Sequence, residues 1–195
     1  MQLARNFRLV LASLAAGALL ASLPAAADAK KNKCKVKNST TLASDKQARV
    51  YSKNGAAIAC VKKSGKKRTL SGASPTDDLF ALGGKWVVWT TNGSATRSVV
   101  NKMYIPDGKS HDSNFPFDTN GHVEGVVIKK DGAAAWVFSS SGASTIVQGQ
   151  DRKNHPPDQL SDDTKDAVGS SLKSGKGHEI HWKYTDGSSD SANLY

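Results

Sequence analysis

The residues of this 195-residue chain best suited to chemistry are five histidines, two cysteines and a dense set of lysines. His178-Glu179-Ile180-His181 approaches the H-E-x-x-H zinc helix but is one residue short. On a strand His178 and His181 point to opposite faces, so the two imidazoles cannot share one ion. Ser170 to Lys173 matches S-x-x-K and Lys173-Ser174-Gly175 approaches K-T-G, yet Ser64 to Lys67 matches the first pattern too, as chance allows in a Ser- and Lys-rich chain. Gly169 to Lys176 has one residue too many for a phosphate loop, and Gly177 stands where a hydroxyl must reach magnesium. Asp118-Thr119-Asn120-Gly121 starts like a calcium loop and lacks the third ligand and the distal pattern. No metal and no cofactor is expected. A catalytic centre would have to be assembled from polar residues of two long connections, His111, Asp112, Asp118, His122 and His155.

The first 29 residues read as an address. Arg5 and Arg8 precede an uncharged apolar run from Leu9 to Leu23, and Ala25-Ala26-Ala27 or Ala27-Asp28-Ala29 supplies small residues for cleavage. The run is about fifteen residues, short of the roughly twenty that span a bilayer, so cleavage is expected over anchoring and the mature chain should be exported with no membrane span. In an exported chain Cys34 and Cys60 read as a disulfide, with free thiols as the alternative. Two cysteines 26 positions apart with no adjacent histidine do not make a four-ligand metal site.

The net charge of +10 is local. Residues 30–68 hold thirteen Lys or Arg and one acid, Asp45. Lys30, Lys31, Lys33, Lys35 and Lys37 form a basic arm, and Lys62, Lys63, Lys66, Lys67 and Arg68 surround the Ser64-Gly65 turn. Such a cluster can attract an anionic envelope polymer through counterion release; a solvated, solubilising surface is the plainer reading. No aromatic residue lies between Lys30 and Val50 to stack on bases, and nucleic acid is not an expected partner.

Any such residues must be positioned by a repeated unit, clearest in residues 122–142, HVEGVVIKKDGAAAWVFSSSG. A β-rich run meets Asp131-Gly132, a second run carries Trp136, and Ser141-Gly142 turns the chain again. The same punctuation pairs Asn54-Gly55 with Ser64-Gly65, Gly83-Gly84 with Asn92-Gly93, and Lys176-Gly177 with Asp186-Gly187. Counted from the first glycine, Cys60, Trp89 and Trp182 share an offset of five and Trp136 falls at four, a one-residue bulge or a misalignment. The first glycines are 29, 48 and 45 residues apart, the last two near the period of propeller blades.

Face patterns choose the architecture. Trp86 and Val88 oppose Val87 and Trp89, and Trp136 and Phe138 oppose Ala135 and Val137, so the middle units are covered on both sides. In the last unit Ile180, Trp182 and Tyr184 oppose Glu179, His181 and Lys183, one dry face and one wet. That is what the end of a stack requires. The reading is all-β, about four antiparallel units of three to four strands stacked as an incomplete β-propeller, with a β-sandwich as the alternative. A helix is conceivable only in 161–173.

VYSKNGAAIACVKKSGKKRTL, LFALGGKWVVWTT and VEGVVIKKDGAAAWVF, followed by a short hairpin with a Trp, resemble uncharacterised exported bacterial proteins with incomplete propeller-like repeats, and more distantly the blades of large bacterial β-propellers. The similarity covers residues 46–195 and implies a fold without functional residues. The domain organisation is then a signal peptide at 1–29, a basic arm at 30–45 and a propeller-like domain at 46–195. The function expected is a non-catalytic extracytoplasmic binding or scaffolding module for an unknown protein or envelope polymer; the alternatives are a hydrolase or lyase acting on such a polymer, or binding of an anionic polymer by the basic segment. A monomer is expected, with the arm covering the otherwise bare face of the first unit.

Overall fold

The computed structural model describes residues 32–93, 97–113, 121–140 and 142–195, of which 92, 93, 97, 98 and 111–113 are described by backbone alone. The expected leader at 1–29, Lys30, Lys31 and Asp118 lie outside the described residues, as do the side chains of His111 and Asp112.

The described residues form four antiparallel meanders. The first comprises β1 (Thr40–Ser44), β2 (Ala48–Lys53), β3 (Ala56–Val61) and β4 (Lys67–Thr69). The second comprises β5 (Phe80–Gly83), β6 (Trp86–Gly93), β7 (Arg97–Tyr104) and β8 (Ser110–Ser113). The third comprises β9 (Gly121–Ile128), β10 (Ala134–Ser140), β11 (Ile146–Gln150) and β12 (Asp158–Gln159). The fourth has only β13 (Lys173–Ser174), β14 (Glu179–Lys183) and β15 (Ser189–Asn193). A single parallel bridge, Arg97 to Gly121, joins the second and third sheets at one point. Among the described residues the helical content is one 3-10 turn at Gly169–Ser171, inside the segment where a short helix was conceivable. The fold is all-β, an unclosed stack of propeller-like sheets.

Alternation along each strand sends side chains to two faces, and the faces sort into three cores between sheets. Val50, Ala59, Leu70, Val87, Trp89 and Ile105 pack the first sheet on the second. Val88, Val100, Ile128, Trp136 and Phe138 pack the second on the third. Val127, Ala135, Val137, Ile180, Trp182 and Tyr184 pack the third on the fourth. The two-sided burial expected of the middle units and the one-sided burial of the last are both present.

The repeat frame is displaced by one strand in the first unit. The turn equivalent to Gly83-Gly84 is that between β1 and β2, around Asp45, whereas Asn54-Gly55 joins β2 to β3 and corresponds to Asn92-Gly93. The first hairpin has no glycine because Asp45 closes it: its Oδ1 accepts from the amides of Gln47 and Ala48, both at 2.7 Å. The aromatic shared by the units is therefore Tyr51, Trp89, Trp136 and Trp182, all on second strands and 38, 47 and 46 residues apart; Cys60 belongs to a third strand. The offset of four in the third unit comes from its turn, in which Gly132 is the last residue before the Lys129–Ala133 closure whereas Gly84 is the first of its turn. A bulge does occur in β9, where Val137 faces Gly125 and Phe138 faces Val123 and Glu124 is left unpaired, but it precedes Gly132 and does not set that spacing. Asn54 and Gly55 have φ of 50° and 78°, as a type I′ turn needs. Asp131-Gly132 does not form such a turn. Only Gly132 has positive φ, and the hairpin closes more widely through Lys129 N–H to Ala133 O at 2.8 Å.

Inner strands meet so closely that glycine is required. A Cβ on Gly83 would lie 2.4 Å from Lys129 O, and one on Gly125 would lie 2.3 Å from Gly169 O. Two buried lysines fasten the same seams. Lys102 Nζ, on the second sheet, donates to Gly132 O at 3.2 Å and Asp151 O at 3.0 Å on the third. Lys129 Nζ, on the third, donates to Ser174 Oγ at 2.9 Å, Gly175 O at 3.1 Å and Glu179 O on the fourth. Burial lowers the pKa of both, that of Lys102 to about 8, against the opposing pull of Asp151 and Asp131 on Lys102 and of Asp131 and Glu179 on Lys129.

Candidate functional site

Two surfaces carry uncommitted charge. The first is built by the disulfide between Cys34 and Cys60, both fully buried. It ties the segment preceding β1 across the first sheet, where Cys34 and Val36 pack with Tyr51, Ile58 and Cys60. Lys33 N–H donates to Lys62 O at 3.1 Å, and the Lys33 stem lies against Gly65, where an added Cβ would sit 3.1 Å from Lys33 Cβ. Lys67 pairs across the ladder with Cys60. Two basic runs separated in sequence therefore share one face.

Not every cation there is free. Lys62 Nζ donates to Ser44 Oγ at 2.9 Å and to Asp45 O, and Arg68 reaches Pro106 O at 3.2 Å on the second sheet. Those two serve the fold. Lys33, Lys35, Lys37, Lys63, Lys66 and Lys67 are exposed, and among the described residues none has a carboxylate partner.

The second surface is a cleft of about 550 Å³ where the first-to-second-strand turns of all four sheets converge. Asp45 comes from the first, Gly83 and Gly84 from the second, Lys129, Lys130 and Asp131 from the third, and Ser174 to His178 from the fourth. Asp45 Oδ2 accepts from Gly84 N–H at 2.8 Å, tying the first sheet to the second at its rim. Asp131 Oδ1 accepts from Ala133 N–H at 3.2 Å, and its Oδ2, buried and without a hydrogen-bond donor, lies 3.2 Å from His178 Nδ1. Sequence reading missed this cleft because the near-motifs at Gly169 to Lys176 and His178 to His181 each fail as a catalytic or metal pattern, and the other three turns carry none. Equivalent turns of stacked repeats must come to one end of the stack, and that was the signal to follow.

The expected loop site is not assembled from the histidines described. His122 Nε2 lies 3.2 Å from Glu124 at the start of β9, and His155 Nδ1 lies 2.7 Å from Asp151 beyond the end of β11. The register puts these at opposite ends of the third sheet, His122 beside Ser139 and the His155 loop beside Ala134, roughly 15 to 20 Å apart at the usual strand rise. His178 and His181 point to opposite sides of the fourth sheet's ends, toward Asp131 and Glu179 respectively. Among the described residues no three His, Cys, Asp or Glu side chains are placed to hold a metal ion, and no helix is long and apolar enough to cross a membrane.

No protein-family model and no curated protein matches the sequence. Solved structures do. The computationally designed Ika4 protein aligns at 12% identity over 83% of this chain and 95% of its own, with a TM-score of 0.50. TolB from Acinetobacter baumannii, a β-propeller protein, aligns at 16% identity over 77% of this chain and 41% of its own, TM-score 0.43. A putative TolB from Agrobacterium tumefaciens aligns at 10% identity over 75% of this chain and 69% of its own, TM-score 0.44. The chain spans less than half of the Acinetobacter protein. At 12% identity the likeness to the designed Ika4 protein concerns the fold alone.

Proposed function

We propose that this is an exported, non-catalytic binding module that contacts an anionic polymer of the cell envelope through the face fastened by Cys34 and Cys60. The observation that carries the reading is the set of six exposed lysines, from two separate runs, brought together with no carboxylate partner among the described residues. A fold that matched its surface charges internally would leave little for a ligand; here the charge is left to solvent. Export is supported by the disulfide, which persists in oxidising compartments, and by the leader-like first 29 residues.

The test is retention of the oxidised protein on an immobilised polyanion as salt is raised. Replacing Lys63, Lys66 and Lys67 by Glu should move elution to much lower salt, because each lost cation removes about one unit of counterion release. Unchanged elution would overturn the reading. N-terminal sequencing of protein recovered outside the cytoplasm should begin after residue 27 or 29.

A further inference from the structure

We propose that the cleft at the convergence of the four turns is a second binding site, for a small ligand carrying an oxyanion, phosphate or carboxylate, held between Lys130 and Lys176. This site stands apart from the cationic face and does not rest on the polymer reading.

The argument is an inventory of charge. Two carboxylates line the cleft, and both are held within the fold, Asp45 by backbone amides and Asp131 with its Oδ2 buried. Asp45 receives three backbone amides, Gln47 and Ala48 on Oδ1 and Gly84 on Oδ2. Asp131 receives an amide on Oδ1, and its Oδ2 lies against His178 within the fields of Lys102 and Lys129. Lys129 is used as well, its ammonium matched by three acceptors, the most its three N–H groups can serve. What remains is positive. The ammonium groups of Lys130 and Lys176, exposed and on the turns of adjacent sheets, have no hydrogen-bond or ion-pair partner among the described residues. His178 has Nδ1 toward Asp131, which leaves its Nε2 as a further polar contact.

Shape agrees with charge. About 550 Å³ falls in the range of small-molecule sites, on the order of 300–1,000 Å³. Glycines at 84, 175 and 177 keep the lining low, so a ligand can approach the backbone. Compact ammonium groups on two different turns suit a small dianion, or one oxyanion reached from both sides.

Isothermal titration at low ionic strength tests this with three probes: inorganic phosphate, glucuronate and glucose. One equivalent of phosphate or of glucuronate should bind, and glucose should not. Replacing Lys130 and Lys176 by Gln should weaken binding at least about tenfold, the scale of one charge-assisted contact. Both positions are exposed, and each single variant should lose part of the effect. The Lys63, Lys66, Lys67 to Glu variant should bind as wild type does, which separates this site from the cationic face. Binding of phosphate alone assigns phosphate esters, of glucuronate alone sugar acids, and of both the shared oxyanion. Failure of both anions to bind, equal binding by the double Gln variant, or loss in the Glu variant instead would overturn the proposal.

Discussion

The first and fourth sheets meet the same difficulty, an outer face with no neighbouring sheet among the described residues, in opposite ways. On the first sheet that face is apolar, with Tyr51 at 1% exposure, and it is roofed by the segment carrying Cys34 and Val36. Arg49 pins the roof, donating to Cys34 O at 2.9 Å and to Ser39 Oγ at 3.1 Å while its guanidinium sits 5.0 Å from the Tyr51 ring centre. On the fourth sheet His181 and Lys183 face solvent and Trp182 and Tyr184 turn inward. A shallow groove lined by Ser171, Lys173, His181 and Ser191 runs over its surface. One end hides apolar side chains under a covalent cover; the other has nothing apolar to hide. An open stack needs only that each terminal face have one of these answers.

The comparison can be broken most forcefully at the fourth sheet's inner face. Trp182→Ala should cost about 3–5 kcal/mol in urea unfolding, because a fully buried ring in the last core is replaced by a cavity. At the first sheet, replacing both Cys34 and Cys60 by Ala should cost about 3–4 kcal/mol, the scale for a loop of this length. The same variant should self-associate in sedimentation as the Tyr51 face is uncovered; a monomer with unchanged stability would mean that Arg49 alone holds the roof. The seam between the ends gives a pH signature. Lys102 has its native pKa lowered to about 8 from 10.5, so between those values the unfolded chain holds the extra proton and stability rises with pH, by no more than about 3 kcal/mol. The gain should vanish when wild type is compared with Lys102→Met, which cannot titrate there. Smallest of all, Lys183→Ala on the wet face should shift stability by less than about 0.5 kcal/mol; a larger loss would show that this face is covered in solution.

How much of this was legible follows from which interactions are local. Face alternation is local, so Trp86 and Val88 against Val87 and Trp89 announced a sheet buried on both sides, and Glu179, His181 and Lys183 announced the wet one. The pairing of Cys34 with Cys60 followed from number and compartment. Glycine punctuation misframes the first unit because its first turn is closed by a side chain, as Asp45 closes Ser44 to Ala48. Lys102 and Lys129 gave no warning at all. Each reads as an ordinary strand or turn lysine, and its acceptors lie 30 to 50 residues away. The cleft was hidden for a related reason, since its four turns are close only once the sheets are stacked.

The two-sided burial of the middle sheets has a consequence for how such chains change over generations. A duplicated unit slipped between the second and third sheets would meet apolar faces on both sides and could share their cores, lengthening the arc by one period of about 45 residues. The same unit placed beyond the fourth sheet would press its apolar face on His181 and Lys183, and one placed before the first would find Tyr51 already roofed. Copy number in this architecture is therefore free to drift in the interior and is held fixed at its ends.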